Sequence, residues 1–176
     1  MKTQSFEDWF ANHLGEEKSN VSLLLQNKTP LHFLIACSLF ESICFDRYMR
    51  VLDVQPFAKK LVEEYFDTAS IEKHGTHFHS RYKADKTLFK QLMHKTDTKE
   101  MERILNSSYV ELAKFDIIFF TTFVVLRFRN NIFHGNKYAR NWMKYKDQII
   151  HCTEIMQLFI SHADSIRKSK NADATA

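Results

Sequence analysis

The chain has 176 residues and a formal charge of +4, enough for one domain with its own core and too little net charge to mark a nucleic-acid binder by itself. Three glycines and two prolines against sixteen phenylalanines exclude a turn-rich β fold and any phosphate-cradling glycine loop. The expected fold class is all-α.

The first stretch, MKTQSFEDWFANHLG, has early acidic residues and no apolar run before a cleavage-like site, so no signal peptide is expected. Phe6, Trp9, Phe10 and His13 fall at helical spacing and predict a helix over Ser5 to Leu14 that stops at Gly15. GEEKSN reads as a loop. Pro30 suits the first turn of a second helix running to about Arg50, with Leu31, Leu34, Ile35, Cys37, Phe40 and Cys44 as its apolar positions. Asp53 to Ala69, with Pro56 near its start, predicts a third. Cys37 and Cys44 sit in an apolar segment as buried thiols do, which fits a reducing cytoplasm.

From Ser70 to about Asp85 no clear apolar stripe is seen, and IEKHGTHFHSRYKAD is expected to be a connection. Short helices are expected over Lys86 to His94 and from Asp97, where Asp97 and Glu100 have capping-box spacing. Ser108 and Glu111 repeat that spacing and are expected to open a long helix. Its apolar run, Ile117 to Leu126, is half of the roughly 20 residues a membrane span needs, so a core helix is expected and no membrane anchor. Gly135 would stop it. A last helix, about Tyr138 to Arg167, carries Trp142, Tyr145, Ile149, Cys152, Met156, Phe159, Ala163 and Ile166 in steps of three and four. The predicted architecture is an antiparallel bundle with two long C-terminal helices, tightly joined at residues 135 to 137, and additional short helices. One domain spans 1–167, and 168–176 is expected to be a flexible tail.

The polar end of the long helix, RFRNNIFHG, raises the functional question. Basic residues before a glycine are ordinary helix capping. Three features argue for a site instead. Arg129 shares a helical stripe with Ile118, Thr122, Val125 and Ile132, and a guanidinium on an apolar line needs a partner. Asn130 and Asn131 are poor helix-interior residues that bring amide donors and acceptors. Between Arg127 and Lys146 lie six basic residues (Arg127, Arg129, Lys137, Arg140, Lys144, Lys146) and no acidic one, interleaved with Phe128, Phe133, Tyr138, Trp142 and Tyr145. Bases stack on aromatic planes while phosphates seek cations, so Arg127, Asn131, Lys137, Arg140 and Lys144 are candidate RNA-binding residues.

Arg129, Asn130 and His134 form R-N-x-x-x-H, which resembles the signature of the HEPN superfamily, the higher eukaryote and prokaryote nucleotide-binding helical domains. Their pattern is an arginine, often followed by a polar residue, then a histidine after four to six positions, late on a long helix of a bundle. The motif covers about six residues, and the helical setting most of the chain. The resemblance implies a metal-independent endoribonuclease that acts on single-stranded RNA as a homodimer, its motif copies facing across a cleft. Toxins with neutralising antitoxin partners and antiviral defence components are typical of such proteins. His134 would exchange a proton with the ribose 2′-hydroxyl or the leaving 5′-oxygen. Arg129 would bind the phosphate oxygens as charge accumulates, and Asn130 would orient either partner. No cofactor and no metal is implied. Five residues along a helix turn by about 140 degrees and rise about 7.5 Å, so Arg129 and His134 share no face unless the helix loosens or two subunits combine. Self-association would also account for the apolar stripe through Arg129.

The alternative is a non-catalytic helical module that binds nucleotide, RNA or a protein through the same basic surface. Asp116 and Glu41 interrupt apolar helices and are candidates to orient the arginine or histidine, with Asp116 preferred because it lines up with Phe119, Phe123, Leu126 and Asn130. His74, His77 and His79 lack the accompanying ligand pairs of a zinc site, and no metal is expected there.

Overall fold

The computed structural model describes residues 4–93, 96, 99–133 and 144–173, among which there are nine α-helices and no strand. The chain is therefore an all-α helical bundle. In chain order the helices are α1 (Phe6–Leu14), α2 (Lys18–Gln26), α3 (Thr29–Cys44), α4 (Val51–Glu63), α5 (Glu72–Ala84), α6 (Lys86–Met93), α7 (Lys99–Asn106), α8 (Lys114–Phe133) and α9 (Lys146–Asp173). None of the described helices is long and apolar enough to cross a membrane.

α8 is the centre of the bundle. Thr121 through Phe128 are all buried, because α4, α5, α6, α7 and α9 all pack around it. A helix covered on every side needs apolar residues on every side, which is why IIFFTTFVVL shows no amphipathic stripe. The Thr121 hydroxyl is accommodated locally, donating back to the carbonyls of Ile117 and Ile118 at 2.8 and 3.1 Å. α9 packs mainly on α3 through a fully buried line of Ile149, Cys152, Met156 and Phe159. Phe159 meets Phe40, Phe57 and Phe66 with ring centroids 5.1–5.8 Å apart, a cluster that joins α3, α4 and α9.

Helix boundaries follow local chemistry. Ser5 caps α1 by accepting from the Asp8 amide at 3.1 Å, and Gly15 ends it at φ 65°, where the Glu16 and Gly15 amides return to the Ala11 and Asn12 carbonyls. The same closing pattern ends α4, but with Tyr65 at φ 57°. The expected third helix therefore stops before Ala69, since the left-handed stop is a tyrosine that gives no glycine signal.

Five further expectations are corrected. Part of GEEKSN already belongs to α2, which begins at Lys18. The helix after Pro30 ends at Cys44, where Phe45 and a left-handed Asp46 (φ 55°) break it. It buries Phe33, Ala36, Cys37 and Phe40, while Leu31, Ile35 and Leu39 stay exposed. The supposed connection from Ser70 is largely α5, whose buried face is His74, Gly75, Phe78, His79 and Tyr82. Two of those five are histidines, which a reading by hydrophobicity counts as polar. A β-carbon at Gly75 would overlap the Tyr109 hydroxyl, so the glycine lets α5 approach the short 3₁₀ turn Tyr109–Glu111. That turn also postpones the start of α8 from Ser108 to Lys114. α9 continues through Asp173, beyond Arg167 where a tail was expected to begin. The Asp97 cap, the Gly135 stop, the joint at 135–137 and the start at Tyr138 lie outside the described residues.

Candidate functional site at the end of α8

Residues two apart on a helix point about 200° apart, so Arg127 and Arg129 leave α8 in opposite directions. Arg127 is buried and donates from Nε to the Leu92 carbonyl at 2.7 Å. Leu92 lies in the last turn of α6, where carbonyls lack helical partners and the helix dipole favours a cation. Burial lowers the Arg127 pKa from its ordinary value. Asn131 is buried as well, at the rim of a narrow cleft between α5, α6 and α8 that Arg81, Gln91, Phe128 and Tyr145 also line. Arg127 and Asn131 are thus inward-facing, and Arg127 is engaged in a packing contact between α8 and α6.

Arg129 turns the other way, toward α3. Its Nη2 lies 2.7 Å from Glu41 Oε1, with both side chains 18% exposed, and its Nη1 donates to Asn130 Oδ1 at 2.8 Å. Glu41 Oε1 also accepts from the Met49 amide at 2.9 Å. One carboxylate therefore ties α3, the segment leading into α4, and the last turn of α8. One turn earlier on α3, burial first and then the Glu41 charge push the Cys37 thiol up to about 12, with Arg129 opposing. A thiol held protonated in this way is a poor nucleophile.

The acid that meets Arg129 is Glu41. Asp116 stands 13 residues before Arg129, about 20 Å along the helix axis, and there it pairs with Arg103 of α7, which also binds Glu100. Those two carboxylates, Glu100 first, raise the Arg103 pKa. Asp116 fell on the right helical line, but a line through a 20-residue helix does not bring its ends together. The apolar stripe is likewise spoken for within the chain: Ile118, Thr122 and Val125 are fully buried and Ile132 is 5% exposed. Self-association is not needed to cover it.

Arg129 and Asn130 are thus brought together. Lys144 is exposed just before α9, while His134, Lys137 and Arg140 lie outside the described residues. Arg81 and Gln91 are the polar neighbours that the sequence reading left unassigned, whereas Glu41 was already a candidate there. Only Glu41, a lone acid in an apolar helix, carried a signal.

The histidines of α5 divide. His79 is buried and its Nε2 contacts the Ile104 carbonyl at 3.1 Å. His74 and His77 instead face α9. His74 Nδ1 is 2.8 Å from His151 Nδ1 and 3.5 Å from Glu154 Oε2, and the His77 ring stacks on His151 with centroids 4.0 Å apart. Desolvation is the first cause that lowers the pKa of each of these three imidazoles; the charge of a neighbouring histidine adds to it at His77 and His151, while Glu154 opposes it at His74.

Compared with known proteins, the chain matches no family model, no curated protein and no solved structure.

Proposed function

We propose that the chain is a HEPN-like, metal-independent endoribonuclease that cleaves single-stranded RNA as a dimer, with Arg129, Asn130 and His134 as its working residues. The observation that supports this reading is the arrangement of Arg129. A guanidinium serving only as a helix cap would lie along its own terminal carbonyls, whereas this one is turned aside, partly buried, and held by a carboxylate from α3 and an amide from its neighbour. A cation fixed in advance costs little reorganisation when negative charge develops on a transferring phosphate. His134, five residues on, would supply proton transfer, and the exposed Lys144, with Lys137 and Arg140, would hold the RNA backbone. The exposed Leu31, Ile35 and Leu39 at i, i+4 and i+8 on α3 offer an apolar surface for pairing two copies. A role as a toxin with a neutralising partner, or in antiviral defence in the cytoplasm, belongs to the same proposal.

The second reading is a non-catalytic RNA- or nucleotide-binding or protein-interaction module. What favours it is the Glu41 contact itself, since a guanidinium neutralised by a carboxylate at 2.7 Å has less charge to offer a phosphate.

Cleavage of single-stranded RNA in chelator separates the two. The nuclease reading expects cutting by the parent chain and loss of it in His134→Ala and Arg129→Ala. Equal cutting by all three removes it. RNA binding without cleavage, retained in His134→Ala and weakened by loss of Lys144, establishes the binding module.

A further inference from the structure

We propose that His74, His151 and Glu154 form a binding site for a first-row transition-metal dication of the zinc type, joining α5 to α9. The assignment is independent of the ribonuclease reading, which needs no metal.

The two helices face each other with complementary pairs. α5 presents His74 and His77 and α9 presents His151 and Glu154, each pair three residues apart and so on one helical face. One ligand atom from each of His74, His151 and Glu154 lies within 4.8 Å of the others. Zinc–nitrogen and zinc–oxygen bonds of about 2.0–2.2 Å at tetrahedral angles place two ligand atoms roughly 3.3–3.5 Å apart. His74 Nδ1 and Glu154 Oε2 already have that separation, at 3.5 Å. The two Nδ1 atoms at 2.8 Å are at the distance of a shared proton, and the rings need to part by only about half an ångström for a metal to replace it.

The donor set selects the ion. Two imidazoles and a carboxylate suit zinc and its first-row neighbours, whereas calcium and magnesium require mostly oxygen ligands. His74 is buried, while Glu154 is 43% exposed and leaves a way in from solvent. A histidine–histidine hydrogen bond alone would satisfy the two Nδ1 atoms. It would leave Glu154 too far for a good hydrogen bond and give no account of His77, whose buried Nε2 has no hydrogen-bond partner among the described residues and whose ring stacks on His151. Bound metal would occupy this polar seam and leave its fourth position to water.

The test is titration of the untagged, chelator-treated full chain with Co2+, following the visible absorption of four-coordinate cobalt, with circular dichroism to check folding. The parent is expected to take up a single Co2+ that Zn2+ displaces, and His151→Ala to lose it. Glu154→Gln, at a half-exposed position that keeps the fold, is expected to bind at least about tenfold more weakly. His13→Ala, an exposed histidine of α1, is expected to bind as the parent does. No uptake by the parent, or unchanged affinity in Glu154→Gln, overturns the assignment. Should His151→Ala fail to fold, Glu154→Gln decides alone.

Discussion

Replacing Glu41 tests whether the end of α8 is held by a carboxylate from α3. Two unit charges about 4 Å apart in a medium of effective dielectric 20 attract by about 4 kcal/mol, most of which desolvation of both groups cancels. Removing one partner of a fully buried pair costs about 3–5 kcal/mol. Here both side chains keep 18% of their exposure, so water recovers part of the loss and about 2 kcal/mol is the expected cost of Glu41→Gln. The amide oxygen of glutamine still receives the Met49 N–H that Glu41 accepts at 2.9 Å. Glu41→Ala leaves that donor without an acceptor, adding about 1 kcal/mol. For a chain of this length 1 kcal/mol is about 2–4 °C, so thermal unfolding followed by circular dichroism should show losses of about 4–8 °C for Glu41→Gln and about 6–12 °C for Glu41→Ala. The double-mutant cycle with Arg129→Met should give a coupling of about 1–2 kcal/mol. Additivity within about 0.5 kcal/mol would refute the pairing as a stabilising contact. If Arg129 also serves catalysis, Glu41→Gln should lower the RNA cleavage rate by about tenfold or more through misplacement without weakening RNA binding, since it raises the net charge.

Gly75→Ala should destabilise by about 1–2 kcal/mol, because overlap with Tyr109 outweighs the helix propensity gained. Tyr109→Phe should recover part of that in the double variant and be near neutral alone, its buried hydroxyl having no hydrogen-bond partner among the described residues. His79 titrates in the fold below its ordinary 6.5, burial being the chief cause and the Ile104 carbonyl opposing. Between the lowered folded value and 6.5 the unfolded chain binds more protons, so this stability is present above 6.5 and lost as pH falls through that window. His79→Gln, which keeps a donor for Ile104, should make the acid-side fall in unfolding midpoint shallower, and an unchanged pH profile would contradict this. Arg127→Met should cost about 1–3 kcal/mol by orphaning the Leu92 carbonyl and leave RNA affinity within about twofold. A large loss of RNA affinity without a loss of stability would return Arg127 to the binding surface.

What the sequence revealed and concealed has physical causes. The all-α class was legible from scarce glycine and proline, and the buried line of α9 from its regular steps of three and four. α8 was recognised by its lack of polarity, not by periodicity, since every face of it is covered. α5 was concealed because His74 and His79 fill core positions that a hydrophobicity pattern leaves blank, and because Gly75 suggests a break where it permits a close approach. α4 ended early through Tyr65, a left-handed residue without a glycine to announce it. At the site, the need of Arg129 for a partner was legible from its apolar stripe, but which acid would answer was not. Asp116 shares the helix and Glu41 does not, and tertiary packing of α3 on the far part of the chain decides between them. His151 and Glu154, 77 and 80 residues beyond His74, reach it only because α5 and α9 pack together.

The central claim is tested most directly with a DNA strand that contains a single ribonucleotide, incubated with the parent chain in chelator. The account predicts one cut, on the 3′ side of that ribose, leaving a 2′,3′-cyclic phosphate, and no cut in the all-deoxy strand. An intact ribonucleotide strand, or equal cutting of both strands, would contradict it.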